Sequence, residues 1–300
     1  MTIRRVAIVG LGLLGGSLGL AIRERLSEVK TLGFDHSEET RRRAAERGLA
    51  DTVCDTLAEV VREADLVLLC VPVGAMKAVA SDLAALVPAD CIVSDVGSSK
   101  QSVMRDLLAA LPGKTVIPAH PVAGTEESGP DAGFPGLFAG RWCILTPPSD
   151  APPDRVAELR TFWEALGATV EIMDAEHHDL VLAVTSHIPH LIAFTIVGTA
   201  SDMEEVTRSE VIKYSAGGFR DFTRIAASDP TMWRDVFLHN RDAVLEMLGR
   251  FSEDLTAMQR AIRSGDGDTL FEMFSRTRAI RRSIIEEGQD DAAPDFGRRH

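Results

Sequence analysis

The sequence predicts an α/β chain in two parts, a parallel-sheet domain followed by an all-helical one. Three observations carry that expectation. Apolar strand-like runs alternate with helix-length segments through the first half. A glycine-rich turn, "VAIVGLGLLGGSLG", joins the first run to the first helix. Strand signals stop at about residue 173, and apolar periodicities near 3.6 take over.

The strand-like runs span 4–10, 29–35, 64–72, 90–96 and 114–120, with helical patterns at 14–26, 38–47, 75–86 and 99–111 between them. They are nearly unbroken Val, Ile and Leu, as strands covered on both faces are. A further strand at 142–148, and a helix and strand at 154–172, extend this domain. Residues 174–201 predict one long apolar helix, kinked near Pro189. Val236, Phe237, Val244, Leu245, Leu248, Phe251, Leu255 and Met258 continue the helical period, and a last helix covers about 266–287. The expected divisions are 1–172, 173–288 and a disordered tail at 289–300. A helix apolar on most faces needs cover on every side, which points to a homodimer through the helical domain.

Composition bounds the function. A chain of 300 residues, 45% apolar and 26% charged, has the make-up of a soluble globular protein. A net charge of −13 argues against nucleic acid. An anionic substrate then needs a local arginine cluster working against the overall field. The four cysteines form no C-x-x-C pair, so free buried thiols in a reducing cytoplasm are expected. The apolar N-terminal stretch resembles a secretory leader, but it carries five glycines at structured spacing and is followed by "RER" instead of a cleavage site. "LVLAVTSHIPHLIAFTIVGTA" comes nearest to the ~18 uncharged apolar residues of a membrane span. Two histidines and a proline interrupt it, so no membrane partner is expected.

Gly10-x-Gly12-x-x-Gly15 follows a strand and opens a helix, and Asp35 ends the next strand. In that context the motif is the fingerprint of a Rossmann-type dinucleotide-binding domain. Gly10, Gly12, Leu13, Leu14 and Gly15 form the turn that takes the pyrophosphate at the helix N-terminus. An acid at the position of Asp35 binds the ribose 2′-OH and disfavours a 2′-phosphate, so NAD is expected. The arginines at 41–43 leave NADP open. Val71 and Pro72, in "CVPVGAM", end a strand at the same sheet edge and are placed beside the cofactor.

Ser98, in "SDVGSSK", lies in a loop at that edge, placed to hydrogen-bond a substrate hydroxyl; the alternative is that Ser98 or Ser99 caps the following helix. His120 ends the 114–120 run in "IPAHPVAGTEESG", and Pro121 keeps it out of helical geometry. A histidine there is suited to take a hydroxyl proton as hydride leaves the same carbon. His187 and His190, three apart, share a helix face, whereas His178 would lie about 13 Å from His187 on a continuous helix. One metal ion cannot span that, and a polar face lining a cleft is the expectation. Arg220 and Arg224, four apart after paired glycines, make a candidate carboxylate site or a pair of surface ion pairs.

Together "VGLGLLGGSLG", "LCVPV", "SDVGSSK", "HPVAGTEESG", "VTSHIPH" and "GGFRDFTRIAASDPTMWRD" resemble the prephenate/arogenate (cyclohexadienyl) dehydrogenase family, in family order over residues 4 to about 285. The resemblance implies a monofunctional form. It implies NAD-dependent oxidative decarboxylation in tyrosine biosynthesis, with an all-α C-terminal dimerisation and substrate domain. It implies that His120 and Ser98 act on the ring hydroxyl, that Ser98 also orients the nicotinamide of the cofactor, that Arg224 binds a substrate carboxylate, and that His190 and His187 line the pocket with Arg220 and Glu126. One departure is Val96, where several members carry glutamine. Two other readings stay open on residues alone: a dinucleotide-binding sensor, and a β-hydroxyacid-type dehydrogenase. The second is disfavoured because the helical region holds Lys213 as its only lysine.

Overall fold

The computed structural model of the chain describes residues 3–202 and 217–286. Lys213 and the expected tail lie outside the described residues. The chain divides into two compact units, Met1–Leu245 and Glu246–His300.

The first unit opens with β1 (Arg5–Val9), α1 (Leu13–Arg25), β2 (Lys30–Phe34), α2 (Glu38–Arg47), β3 (Thr52–Val53), α3 (Leu57–Val61) and β4 (Leu66–Leu69). It continues with α4 (Val73–Leu83), β5 (Ile92–Asp95), α5 (Gln101–Ala110) and β6 (Thr115–Val116). These strands form one parallel six-stranded sheet in the order β3-β2-β1-β4-β5-β6. The order runs outward from β1 in both directions, so a crevice opens between the carboxyl ends of β1 and β4. Along β1, Val6 and Ile8 pack on one face while Ala7 and Val9 pack on the other, the two-residue period of a strand covered on both sides. β3 and α3 are too short to leave a periodic signal, and the sequence did not predict them.

The run at 114–120 is not one strand. It divides into β6 and β7 (Ala119–Pro121), which belong to different sheets. Pro118 stands between them and has no N–H for a ladder. Its carbonyl instead accepts from Thr146 N at 2.9 Å. β7 pairs antiparallel with β8 (Trp142–Leu145), which pairs parallel with β9 (Thr169–Ile172) after α6 (Pro153–Ala165). The later strands therefore extend the domain as a second, three-stranded sheet, with His120 opposite Ile144.

α7 (Ala175–Leu182) and α8 (Ile188–Ser201) follow, joined by a π-helical turn at Ala183–His187. The irregularity expected at Pro189 thus lies before it. Pro189 is the second residue of α8, directly after the π turn. Among the described residues this run, Ala175–Ser201, is long and apolar enough to cross a membrane by length and composition. It also carries the buried polar residues His178, Asp179 and His187. α9 (Gly217–Thr223), a 3₁₀ turn at Arg224–Ala227 and α10 (Pro230–His239) lead to α11 (Arg241–Ser264), along which the second unit begins.

In the second unit, the remainder of α11 turns at Gly265 (φ +68°) into α12 (Gly267–Glu286). The Asp266 carboxylate caps that start by accepting from Thr269 N at 3.0 Å. Leu255, Ile262, Phe271, Phe274 and Ile280 stand exposed on these helices.

Candidate active site

The glycine turn lies at the crevice between β1 and β4, and its geometry fits a dinucleotide. Gly10 has φ +99°, and a Cβ there would lie 2.4 Å from the Cys70 carbonyl oxygen. A Cβ on Gly15 would lie 1.9 Å from the Gly10 carbonyl oxygen. At Gly12 no atom lies within 4 Å of the Cβ position, so the turn faces open space. Gly12 caps α1 with no side chain over the helix start, which leaves the first backbone N–H groups, at Leu13 and Leu14, for a pyrophosphate. Val71 lies against Gly10, and Pro72 caps α4. The Asp35 carboxylate is fixed by Leu11 N at 3.0 Å and Ser37 N at 2.9 Å. Arg41 is engaged by the Asp35 carbonyl, Arg42 by Glu46, and Arg43 by Glu46 and Asp131. The arginines at 41–43 are thus committed to local partners.

The second sheet brings His120 to a cluster of buried polar groups. His120 Nδ1 is 2.8 Å from His178 Nε2, and His178 Nδ1 is 2.8 Å from Asp179 Oδ1. Asp179 also accepts from Lys100 N at 2.7 Å and Gln101 N at 2.9 Å, capping α5. Neither Ser98 nor Ser99 caps that helix; Lys100 holds the cap position, and the carboxylate arrives from α7. An anion there satisfies orphan N–H groups at the positive end of the helix dipole. Ser98 is half-buried and remains free for the role placed on its hydroxyl.

Beneath His120 lies a buried ion pair. Lys100 Nζ bonds the Asp95 carboxylate, and both side chains are fully buried. Lys100 Nζ donates to the Ala119 carbonyl at 2.7 Å, and Ala119 N donates to Asp95 Oδ1 at 3.3 Å. The pair therefore holds both backbone groups of the residue before His120.

Asn240 Nδ2 lies 2.8 Å from the Asp179 carbonyl and 3.0 Å from His187 Nδ1, linking the first half of the long helix to its π turn. His190 Nδ1 bonds the Ser186 carbonyl at 2.8 Å, and its ring stacks on Trp233 at 3.7 Å between centroids. Arg224 pairs with Glu126 at 2.7 Å, which carries the "GTEESG" loop to the start of the 3₁₀ turn. Arg220 does not join it. α9 ends at Thr223 and the 3₁₀ turn follows directly at Arg224; Arg220 lies 3.8 Å from Asp221 at the surface. His177 is exposed, and Val96 is a core residue. Among the described residues no group of three His, Cys, Asp or Glu has metal-binding geometry.

Burial governs the titration of this cluster. It holds His120 well below the usual histidine value, helped by neighbouring His178, Lys100 and His187. His178 is also lowered by burial, against its hydrogen bond to Asp179. His187 is lowered to about 4, again chiefly by burial. His190 follows the same direction. These imidazoles are neutral at pH 7, so His120 is poised as a base. The unfolded chain takes up protons below pH ~6.5 while the folded cluster does not, so stability falls as pH drops through that value. For His187 the loss runs from about pH 6.5 to about 4 and amounts to about 3 kcal/mol. Urea midpoints measured across this range are expected to fall, and His187→Phe to flatten part of the slope.

The sequence singled out neither Lys100, Asp95 and Asn240 nor Trp233, and weighed His178 and Asp179 only as metal ligands. The adjacent His178–Asp179 pair was the one available signal, and spacing alone did not tie it to His120.

Residues 18–172 match the family model described as "Prephenate dehydrogenase, nucleotide-binding domain". Residues 174–276 match "Prephenate dehydrogenase, dimerization domain". The chain belongs to the prephenate dehydrogenase family. The cyclohexadienyl dehydrogenase of Zymomonas mobilis is 45% identical over 94% of this chain and 96% of that one. The prephenate dehydrogenase of Bacillus subtilis is 33% identical over 92% of this chain and 75% of that one. The solved structure of Aquifex aeolicus prephenate dehydrogenase with hydroxyphenyl propionate and NAD⁺ superposes with a TM-score of 0.88 at 33% identity, covering 95% of this chain and 99% of that one. Membership makes the chain an oxidoreductase with NAD as cofactor, and decides against the sensor and the β-hydroxyacid readings. The glycine turn precedes the first matched range, so its assignment rests on its own geometry.

Proposed function

We propose that this prephenate dehydrogenase family member carries out the oxidative decarboxylation of prephenate, arogenate or both, in the cytoplasm, with His120 as the base. The observation that carries the reading is a buried His120 on β7, hydrogen-bonded to His178 next to Asp179, with Arg224 paired to Glu126 of the loop that follows β7. Residues 1–172 hold the cofactor, and 173–288 supply the substrate wall and the dimer contact.

When bound, NAD⁺ supplies the hydride acceptor. Gly10, Gly12, Leu13, Leu14 and Gly15 hold its pyrophosphate, Val71 and Pro72 flank it, and Asp35 selects it over NADP⁺. Ser98 orients the ring hydroxyl. His120 accepts that proton as the C–H bond breaks, and returns it to the oxygen once CO₂ has left and the ring is aromatic. Aromatisation drives the step, so the protein's task is position and proton control. Arg224 exchanges Glu126 for a substrate carboxylate, and His187 and His190 line the same wall. Arg220 stands at its approach.

NADH formation measured in parallel with prephenate and arogenate tests the reading; no turnover with either, while NAD still binds, would sink it. Arg224→Ala is expected to raise KM with little change in kcat, because a carboxylate contact binds ground and transition states alike. A large kcat loss at unchanged KM would contradict that role. The exposed Leu255, Ile262, Phe271, Phe274 and Ile280 are apolar surface suited to a second copy of the chain. Light scattering is expected to give twice 32.5 kDa.

A further inference from the structure

The hydrogen bonds behind His120 fix where each proton sits. Asp179 accepts a backbone N–H on each carboxylate oxygen, from Lys100 and Gln101. As an acceptor it takes an N–H from His178 Nδ1 at 2.8 Å. A neutral imidazole has one N–H, so His178 Nε2 carries a lone pair. His120 Nδ1 lies 2.8 Å from that atom, and the contact is a hydrogen bond only if His120 Nδ1 holds the proton. His120 Nε2 is then the bare nitrogen, the one a base needs. The two rings meet edge-on, with centroids 5.1 Å apart and planes at 68°.

We propose that His178, backed by Asp179, is a positioning residue that sets the tautomer of His120 and steadies the imidazolium formed when it takes the substrate proton. The inference rests on the proposed role of His120 as base. In the reaction the hydroxyl O–H breaks and the His120 Nε2–H forms, the hydride pair leaves for NAD⁺, and the proton later returns to the oxygen. The positive charge on His120 then faces His178 and, through it, the Asp179 carboxylate. The other ionisable groups around the two rings are Lys100, Asp95 and His187. Lys100 is already committed to Asp95 and the Ala119 carbonyl, so it does not compete for the His120 ring. The same pattern, an acid orienting a catalytic imidazole, governs hydrolase triads, where losing the correct tautomer costs about 10⁴ in kcat. Here a second imidazole lies between the acid and the base.

Two replacements separate the acceptor from the space it fills. Glutamine places its amide oxygen near the position of histidine Nε2, so His178→Gln keeps an acceptor for His120. Leucine fills the cavity and offers none. His178→Leu is expected to lower kcat by about 100-fold, within the range for impaired acid–base catalysis. KM should stay within about twofold, as for an interaction made in the transition state. His178→Gln should recover most of that loss. Equal kcat for the two variants would overturn the proposal.

Nitrogen NMR of the imidazoles in the substrate-free protein supplies a readout that needs no turnover. His120 is expected protonated at Nδ1 in the parent protein, and a bare Nδ1 there would overturn the proposal even if the Leu variant failed to fold. An Nδ1-protonated His120 in a protein that turns over neither substrate would leave the positioning role standing and remove the proposed reaction.

Discussion

His120→Asn is expected to lower kcat by about 10²–10⁴, the usual contribution of a positioned general base. The substitution is chosen for what it keeps. An asparagine amide N–H can occupy the place of His120 Nδ1 and still donate to His178 Nε2, 2.8 Å away in the parent protein. What it lacks is the lone pair on the far side of the ring. Folding, NAD binding and the backbone of β7 should therefore be preserved while proton removal is lost. The acid limb of kcat/KM in the parent should lie below the ordinary histidine value, because burial holds His120 well under it. An unaffected kcat in the variant would remove His120 from the reaction.

The second large effect is on stability. Lys100→Met should destabilise the protein by about 3–5 kcal/mol, the range for breaking a buried ion pair by removing one partner. The side chains of Lys100 and Asp95 are both fully buried, so the remaining carboxylate has no water to turn to. Burial already pushes the Asp95 carboxyl up and the Lys100 amine down, against their mutual attraction. At a few degrees per kcal/mol for a protein of this size, Tm should fall by roughly 10 °C. Adding Asp95→Asn should restore part of the loss, since the stranded charge is then gone. A single variant as stable as the parent would show that the pair carries no such cost.

Much of this architecture was legible in the sequence. Continuous Val, Ile and Leu in the early runs predicted a parallel sheet, and Gly10, Gly12 and Gly15 predicted its cofactor turn, because both depend on local pattern. The split at Pro118 was harder, since one proline divides two sheets only when each half finds its own partner strand. Ser98 was expected in a loop after β5, and it lies there; His120 was expected at the same sheet edge, and it lies on β7 of the second sheet instead. Lys100, Asp95 and Asp179 were not. Their meaning depends on residues 95, 100, 119 and 179 meeting in space, and an isolated lysine or aspartate reads as surface charge.

The π turn at Ala183–His187 has one more consequence. Each residue advances a helix by about 100° of rotation, and a π turn accommodates one extra residue without lengthening the helix by a full step. It therefore works as a phase shift, setting the azimuth of His187 and His190 independently of His178 and Asp179 on the preceding turns. Regularising Ala183–His187 to an α-helix with no residue removed would swing the two groups out of alignment by about 100° while changing no side chain in either. The alignment of His187 and His190 with His178 and Asp179 is thus encoded in the winding of one helical segment.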